Sequence, residues 1–433
     1  MRFAFPIVAS LILIVLITLL ASTPSPQTMY PQTIAVSPPR SVILFIGDGM
    51  GPQQIGLFLD WNAAHGTGPG TTAIERIALE GETGWVRTLP ANALITDSAA
   101  SATAIATGVS TNNSAVGVSP FGFRLTTCLE DAHASGRRSG LVTTTSITHA
   151  TPASFAAHVD TRANEPEIAR QYVEEANVDV ILGGGKMFVA GLFPALAPDL
   201  RDSMRERGIT WLDKPEQLDQ PLPDTRVIGT FATRALPYVI DRDAPDEPKA
   251  PTLTQMTKRA IERLSRDGSA FFLMVEGGRI DHAGHLNDAA ALLGELREFD
   301  DALRVALDHQ AANPDTLVLV TADHETGGAA LAATGMEKIT LEHLATLGKV
   351  QNSMEYNPKL ADENPIAYKQ YVGLQGPAAR ARSTQWSVQF SSTGHSGTPI
   401  SLFAIGPGQE QFRGFFLHEK VGQDLRAWMQ VAP

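Results

Sequence analysis

The residues that could do chemistry fall in a few short stretches. Ile95 to Gly108 reads ITDSAASATAIATG: an acid and a hydroxyl stand side by side at Asp97 and Ser98, and the residues after them, Ala99 to Gly108, are all small except Ile105. Such a run lets a helix approach a neighbouring backbone closely. The first turn of that helix has free N–H groups and a partial positive charge, so a Ser hydroxyl there stands where anions are favoured. The plainer reading is an Asp/Ser cap on a buried helix. Further along, VEGGRIDHAGH holds Glu276 and then Asp281 and His285, four residues apart, a spacing that puts a carboxylate and an imidazole on one helical face. VTADHE supplies adjacent Asp323 and His324, and STGHSG supplies His395 on a glycine-flanked loop. Carboxylate plus imidazole sets suit zinc, and all-oxygen sets suit magnesium.

Each stretch alone has a bland counterpart. An Asp-His pair is ordinarily a surface pair, a single loop histidine is ordinarily solvated, and GDGMG around Asp48 reads as a turn. The combination is harder to dismiss. Of the 11 histidines, His149, His282, His285, His324 and His395 stand in Gly-, Asp- or Thr-rich segments at predicted strand ends. His65, His133, His158, His309, His343 and His418 lie in ordinary contexts and read as structural.

The elements that must position these groups are legible as short apolar runs at 42–46, 140–145, 178–185, 271–278, 316–325 and 399–406. Continuous apolar runs of this length, bounded by glycines, predict buried parallel strands. Helix-like stretches alternate with them, for instance Thr252 to Arg266 and Ala289 to His309. The pattern predicts an α/β fold: a central, mostly parallel sheet with helices on both faces. Ligands in such sheets bind at the carboxyl ends of the strands. Those ends carry Asp48, His149 with Thr151, Glu276 followed by Asp281, and Asp323 with His324. Residues 194–251, rich in Pro and Asp, and 333–392, polar, read as insertions over the sheet within one domain spanning 41–433.

The bulk properties bound the partners. The chain has 433 residues, 43% of them hydrophobic, enough for a large core. A net charge of −12 argues against nucleic acid or an anionic membrane surface as partner. An anionic substrate would therefore need a locally positive site built from metals or Arg. The N-terminus has Arg2 followed by an almost wholly apolar run over residues 4–21, which reads as an export signal spanning 1–21, or as a retained membrane anchor. Residues 22–40, rich in Ser, Thr, Pro and Gln, read as a linker. The one cysteine, Cys128, leaves no intramolecular disulfide, so the fold must rely on packing and on bound metal.

Taken in order, GDGMG, ITDSAASAT, THATPASFAAHVDTR, VEGGRIDHAGH, TADHETGG and TGHSG resemble the alkaline phosphatase family, over about residues 40–330 and again over about 390–410. The resemblance implies an exported, periplasmic or secreted hydrolase of small phosphate monoesters, inhibited by its product, inorganic phosphate, and compatible with a homodimer. It implies that Ser98 is the nucleophile that forms a phosphoserine. Asp281, His285 and His395 would hold one zinc, Asp48, Asp323 and His324 a second zinc, and Asp48, Thr151 and Glu276 a magnesium. Arg162 would clamp two phosphate oxygens and Asp97 would orient Arg162. His149 and His282 stand where many bacterial members carry Asp and Lys, and resemble other members, including animal ones. The chemistry agrees: phosphoryl transfer needs an in-line nucleophile, charge neutralisation on the non-bridging oxygens and help for the leaving oxygen. A sulfatase or phosphodiesterase on the same fold fits less well. Ser98 has no C/S-x-P-x-R context, and Arg162 and Glu276 are usually missing from diesterases. An extracytoplasmic metal- or phosphate-binding protein would have no use for a nucleophile. Residues 333–392 match no motif of the family.

Overall fold

Ser41–Gly47 (β1) is buried at every position, as an apolar run between two equally apolar neighbours should be. On one side it pairs in parallel with Phe271–Glu276 (β7), on the other with Thr316–Ala322 (β8). Arg138–Ser146 (β3) pairs with β7, and Val180–Gly184 (β4) with β3. Together with Glu82–Arg87 (β2), Thr210–Leu212 (β5), Val227–Thr230 (β6), Ile400–Ile405 (β13) and Gly414–Leu417 (β14), these make a ten-stranded sheet of order β14-β2-β13-β8-β1-β7-β3-β4-β6-β5. Only β13 runs against its neighbours. Two small antiparallel pairs lie beside it: Glu325–Thr326 (β9) with His395–Ser396 (β12), and Ala329–Ala333 (β10) with Trp386–Phe390 (β11).

The computed structural model describes residues 38–65, 70–195, 197–243, 249–333 and 386–433. The apolar run at 4–21, nearly all of the linker and most of 333–392 lie outside the described residues. Among the described residues, no helix is long and apolar enough to cross a membrane. The segment 194–251, read above as an insertion over the sheet, differs from that reading. Its strands β5 and β6 join the sheet beside β4 and form one edge of it.

Two sets of helices pack among themselves and against the central strands. One set holds Leu253–Leu264 and Ala289–Ala312 with the helices at 52–65 and 73–80; the other holds Ser98–Thr107 (α1), Ala150–Ala156 (α2), the helix at 128–134 and His418–Met429 (α6). Leu253–Leu264 is α3, Arg279–Leu286 is α4 and Ala289–Ala312 is α5. Every residue of α1 is buried, so it has no polar face. Its small side chains let α2 and α6 close on it. Contact is tightest at Gly422 of α6, where a Cβ would stand 2.3 Å from the Ala104 carbonyl oxygen.

The register levels the strand ends. Ile46 lies opposite Glu276, Gly47 opposite Ala322, and Thr143 opposite Glu276. Asp48 and Asp323 therefore leave the sheet level with each other on adjacent strands, and Glu276, on the other side of β1, stands two residues earlier.

Candidate active site

Asp97 is the N-cap of α1. Its Oδ1 accepts from the Ala100 N–H at 3.0 Å, and its Oδ2 accepts from the Ser114 N–H at 3.0 Å and from Arg162 Nη1 at 3.3 Å. Ser98 follows as the first helical residue, with its side chain buried and its Oγ 3.2 Å from His324 Nε2.

The ring orientations are fixed by the nitrogens that face away from Ser98. Thr326 Oγ1 donates to Asp281 Oδ1 at 2.6 Å, so at His324 Nδ1, 3.1 Å away, it accepts. His324 thus carries its proton on Nδ1 and presents a lone pair at Nε2. That nitrogen lies 3.2 Å from Asp323 Oδ2 and 3.6 Å from Asp48 Oδ1. His285 Nδ1 donates to the Thr393 carbonyl at 2.6 Å, and His395 Nδ1 to the Thr96 carbonyl at 2.8 Å. Their Nε2 atoms face each other at 3.2 Å, and stand 3.3 and 3.7 Å from Asp281 Oδ1. Neutral, these are two lone pairs and a carboxylate oxygen converging with no proton among them, an arrangement that calls for a cation.

A third cluster shares Asp48 with the one around His324. Asp48, His149 and Glu276 place ligand atoms within 4.8 Å of one another, as do Asp48, Asp323 and His324, and Asp281, His324 and His395. Glu276 Oε2 is held by the hydroxyls of Thr143 and Thr145. Thr151 lies beside Glu276 and its hydroxyl has no hydrogen-bond partner. His149, which the sequence places at a strand end where many bacterial members carry Asp, stands in ligand range itself. His282 stacks edge-on to it, ring centroids 5.6 Å apart, and its Nδ1 accepts from Arg279 Nη1 at 3.0 Å.

Buried polar atoms test whether metal fits here. Both oxygens of Asp48, Asp323 Oδ2, Glu276 Oε1, Thr151 Oγ1 and His149 Nδ1 are buried without a hydrogen-bond partner. An unpaired buried carboxylate costs several kcal/mol, and a bound cation offsets that cost. The acidities agree. Burial, and then the nearby Asp323, Asp281 and Glu276, drive Asp48 well above the usual carboxylate range. Burial raises Glu276 to about 7 in spite of the threonine hydroxyls around it. Burial likewise holds His149, His282 and His324 below the ordinary imidazole range, in the neutral form that binds metal. The residues fit a polynuclear metal centre with nitrogen and oxygen ligands. It is graded in depth: the Asp48 and His324 side chains have no exposed surface, whereas that of His285 is 39% exposed.

Against known proteins, the family model described as "Alkaline phosphatase" matches residues 39–431. The chain belongs to the alkaline phosphatase family. Alkaline phosphatase 4 of Bacillus subtilis is 33% identical over 408 residues, covering 87% of this chain and 85% of its own. Streptomycin-6-phosphate phosphatase of Streptomyces griseus is 34% identical over 449 residues, covering 93% and 92%. The structure of alkaline phosphatase from the Antarctic bacterium TAB5 superposes with a TM-score of 0.70 at 31% identity, covering 91% of this chain and 99% of that one. Like the other alkaline phosphatases, this chain is a metal-dependent hydrolase of phosphate monoesters, and it has the large, mostly parallel sheet of the family.

Several groups around the site escaped the sequence reading. Thr326 orients both His324 and Asp281. Gly49, at φ +72, lets the turn after β1 pass between Thr326 and the Asp281 backbone while its N–H donates to Asp323 Oδ1 at 3.0 Å. Glu325 accepts from Gln54, the Gly328 N–H and Ser396, and so ties down the strand that carries His395. His418 is fully buried and hydrogen-bonds Ser101, whose hydroxyl donates to the Asp323 carbonyl. The one signal for these was the density of Thr around the motifs, as in VTTTS of β3.

Proposed function

We propose that this chain is an exported alkaline phosphatase that works through a phosphoserine on Ser98, at a site of two zinc ions and one magnesium. The carrying observation is the contact of Ser98 Oγ with His324 Nε2, at a helix start and beside converging lone pairs and carboxylate oxygens. Asp281, His285 and His395 would hold the outer zinc, and Asp48, Asp323 and His324 the inner one. Asp48, Glu276 and Thr151 would hold magnesium, with His149 in reach. When bound, the ions would neutralise phosphoryl charge, lower the pKa of the serine hydroxyl and assist the leaving oxygen.

The protein's own groups do the rest. Ser98 Oγ attacks phosphorus, the ester P–O bond breaks, and the alcohol leaves with a proton. Water then cleaves the serine ester, which returns the Ser98 hydroxyl and releases inorganic phosphate. Splitting the reaction in two replaces one difficult displacement with two easier ones. Arg162 aims a fork of N–H donors at two phosphoryl oxygens, and Asp97 holds the fork. These groups recognise the phosphoryl end and not the alcohol, so turnover should extend across many monoesters, and free phosphate should compete. An imidazole in reach of the third ion suits zinc or cobalt better than magnesium, which favours exchange at that position. The TAB5 enzyme is known with one histidine replaced by aspartate and magnesium bound in a site called M3.

The test is turnover of a phosphate monoester, a diester and a sulfate ester by zinc- and magnesium-loaded protein, with metal content measured on the same sample. The expected result is a burst of alcohol from the monoester alone, with close to three ions per chain. Faster turnover of the diester or sulfate, or a burst unaffected by chelation, would contradict the reading. Export is tested by the N-terminus of the protein recovered outside the cytoplasm, which should begin after the apolar run at residues 4–21.

A further inference from the structure

Arg162 uses its fork before any phosphate arrives. Nη1 donates to Asp97 Oδ2 at 3.3 Å and Nη2 to His149 Nε2 at 2.9 Å. A guanidinium has donors only, so His149 Nε2 must supply a lone pair. A neutral imidazole has one such lone pair, which puts its proton on Nδ1. That Nδ1 is buried without a partner, and the ring stands in ligand range of Asp48 and Glu276.

Metal ligation by His149 needs the same lone pair. If an ion takes Nε2, Arg162 is displaced directly. If it takes Nδ1, the proton moves to Nε2 and faces the donor Nη2. Either way the bond between Arg162 and His149 is lost, while the bond from Nη1 to Asp97 is untouched. The freed Nη2 is then available to a phosphoryl oxygen.

We propose that His149 is a positioning residue that couples the third metal site to phosphate capture: with the site empty it holds Arg162 back, and with the site filled it releases Arg162 to the phosphoryl oxygens. This rests on the clamp and third-site readings above. The coupling has a definite size. Breaking one hydrogen bond to a charged group before phosphate can use that group costs on the order of tenfold in affinity. By linkage, phosphate tightens the third ion by the same factor as the ion tightens phosphate. A carboxylate at position 149 would abolish the coupling, because its two oxygens have lone pairs for an ion and for Arg162 at once.

The experiment is calorimetric titration of inorganic phosphate, with no turnover, into protein whose other two sites carry zinc, with and without magnesium. It is run on the wild type, Arg162→Ala, Arg162→Gln, His149→Asp and the double variants. Comparing variants in a cycle cancels the direct attraction between ion and phosphate, which all of them share. We expect Arg162→Ala and Arg162→Gln to weaken phosphate about tenfold more with magnesium than without, and this difference to vanish in the His149→Asp background. An equal Arg162 penalty in both metal states overturns the coupling and leaves the clamp standing. The same holds if the difference persists in His149→Asp. No Arg162 penalty in either state overturns the clamp and the coupling together. Should the His149→Asp proteins fail to fold, the comparison of the two Arg162 variants with the wild type still decides the first outcome.

Discussion

Asp97 does three things with two oxygens: it caps α1 at Ala100, holds the Ser114 backbone and braces Arg162. The cap and the catalytic reading of the Asp-Ser pair are therefore not rivals. Asp97→Ala should cost about 1 kcal/mol of stability through the lost cap and also weaken phosphate. Asp97→Asn should keep most of the cap and still weaken phosphate. Thermal melting and phosphate titration on the two variants separate the effects, and equal phosphate affinity in both to the wild type would remove Asp97 from the clamp. Ser98→Ala should lower turnover roughly 10³-fold or more with metal content unchanged, as measured by steady-state rates and elemental analysis. The acids and histidines of the site were legible because they are rare residues in recurrent, Gly-flanked patterns. Thr326 and Thr143 were not, because hydroxyls are common everywhere and only the register of β9 and β3 gives them a role.

At the scale of elements, the central strands were readable because burial on both faces demands unbroken apolar runs, as in Val42–Ile46. The outer strands were not. β2 alternates exposed and buried residues, and β5 has three residues, too few to carry a period. Two elements yield tests. Gly422 of α6 leaves no room for a Cβ against Ala104, so Gly422→Ala should destabilise the fold by about 1–3 kcal/mol and lower the melting temperature; an unchanged melt would mean that α6 can shift off α1. On α5, burial and then the adjacent Glu298 raise the Glu295 carboxyl from 4.5 to about 8. Between those values the unfolded chain releases a proton that the folded chain keeps. The stabilisation is thus complete below pH 4.5 and lost as pH rises through about 8. Glu295→Gln, whose amide oxygen can still accept from the Val239 N–H as Glu295 does at 2.8 Å, should flatten the fall of melting temperature between pH 5 and 9. A slope equal to the wild type's would show that the unfavourable ionisation lies elsewhere.

At the scale of the whole molecule, the acidic chain gathers Asp48, His149, Glu276, Asp323 and His324 at the ends of four adjacent strands, β8, β1, β7 and β3. With one buried cysteine and no disulfide, nothing covalent ties these ends together. Each ion held at a thousandfold over its dissociation constant adds about 4 kcal/mol to the folded state. Chelation should lower the melting temperature by several degrees or more, and zinc with magnesium should restore it; an unchanged melt would mean that the ions do not brace the strand ends. The fold class was legible because alternation of strands and helices is a property of the whole chain. The meeting of Asp48, Glu276 and Asp323 was legible only through the resemblance of their motifs to the family, since it depends on strand order, which no single stretch of sequence encodes.

The most direct measurement is the position of the covalent phosphate. Metal-loaded protein is mixed with a phosphate monoester, quenched in acid and digested, and the phosphorylated peptide is mapped by mass spectrometry. We expect one phosphoryl group per chain, on Ser98, lost in Ser98→Ala and formed only when metal is present. Phosphate on another residue, or a fully active enzyme that never carries phosphate, would contradict the assignment of Ser98 and of the site built around it.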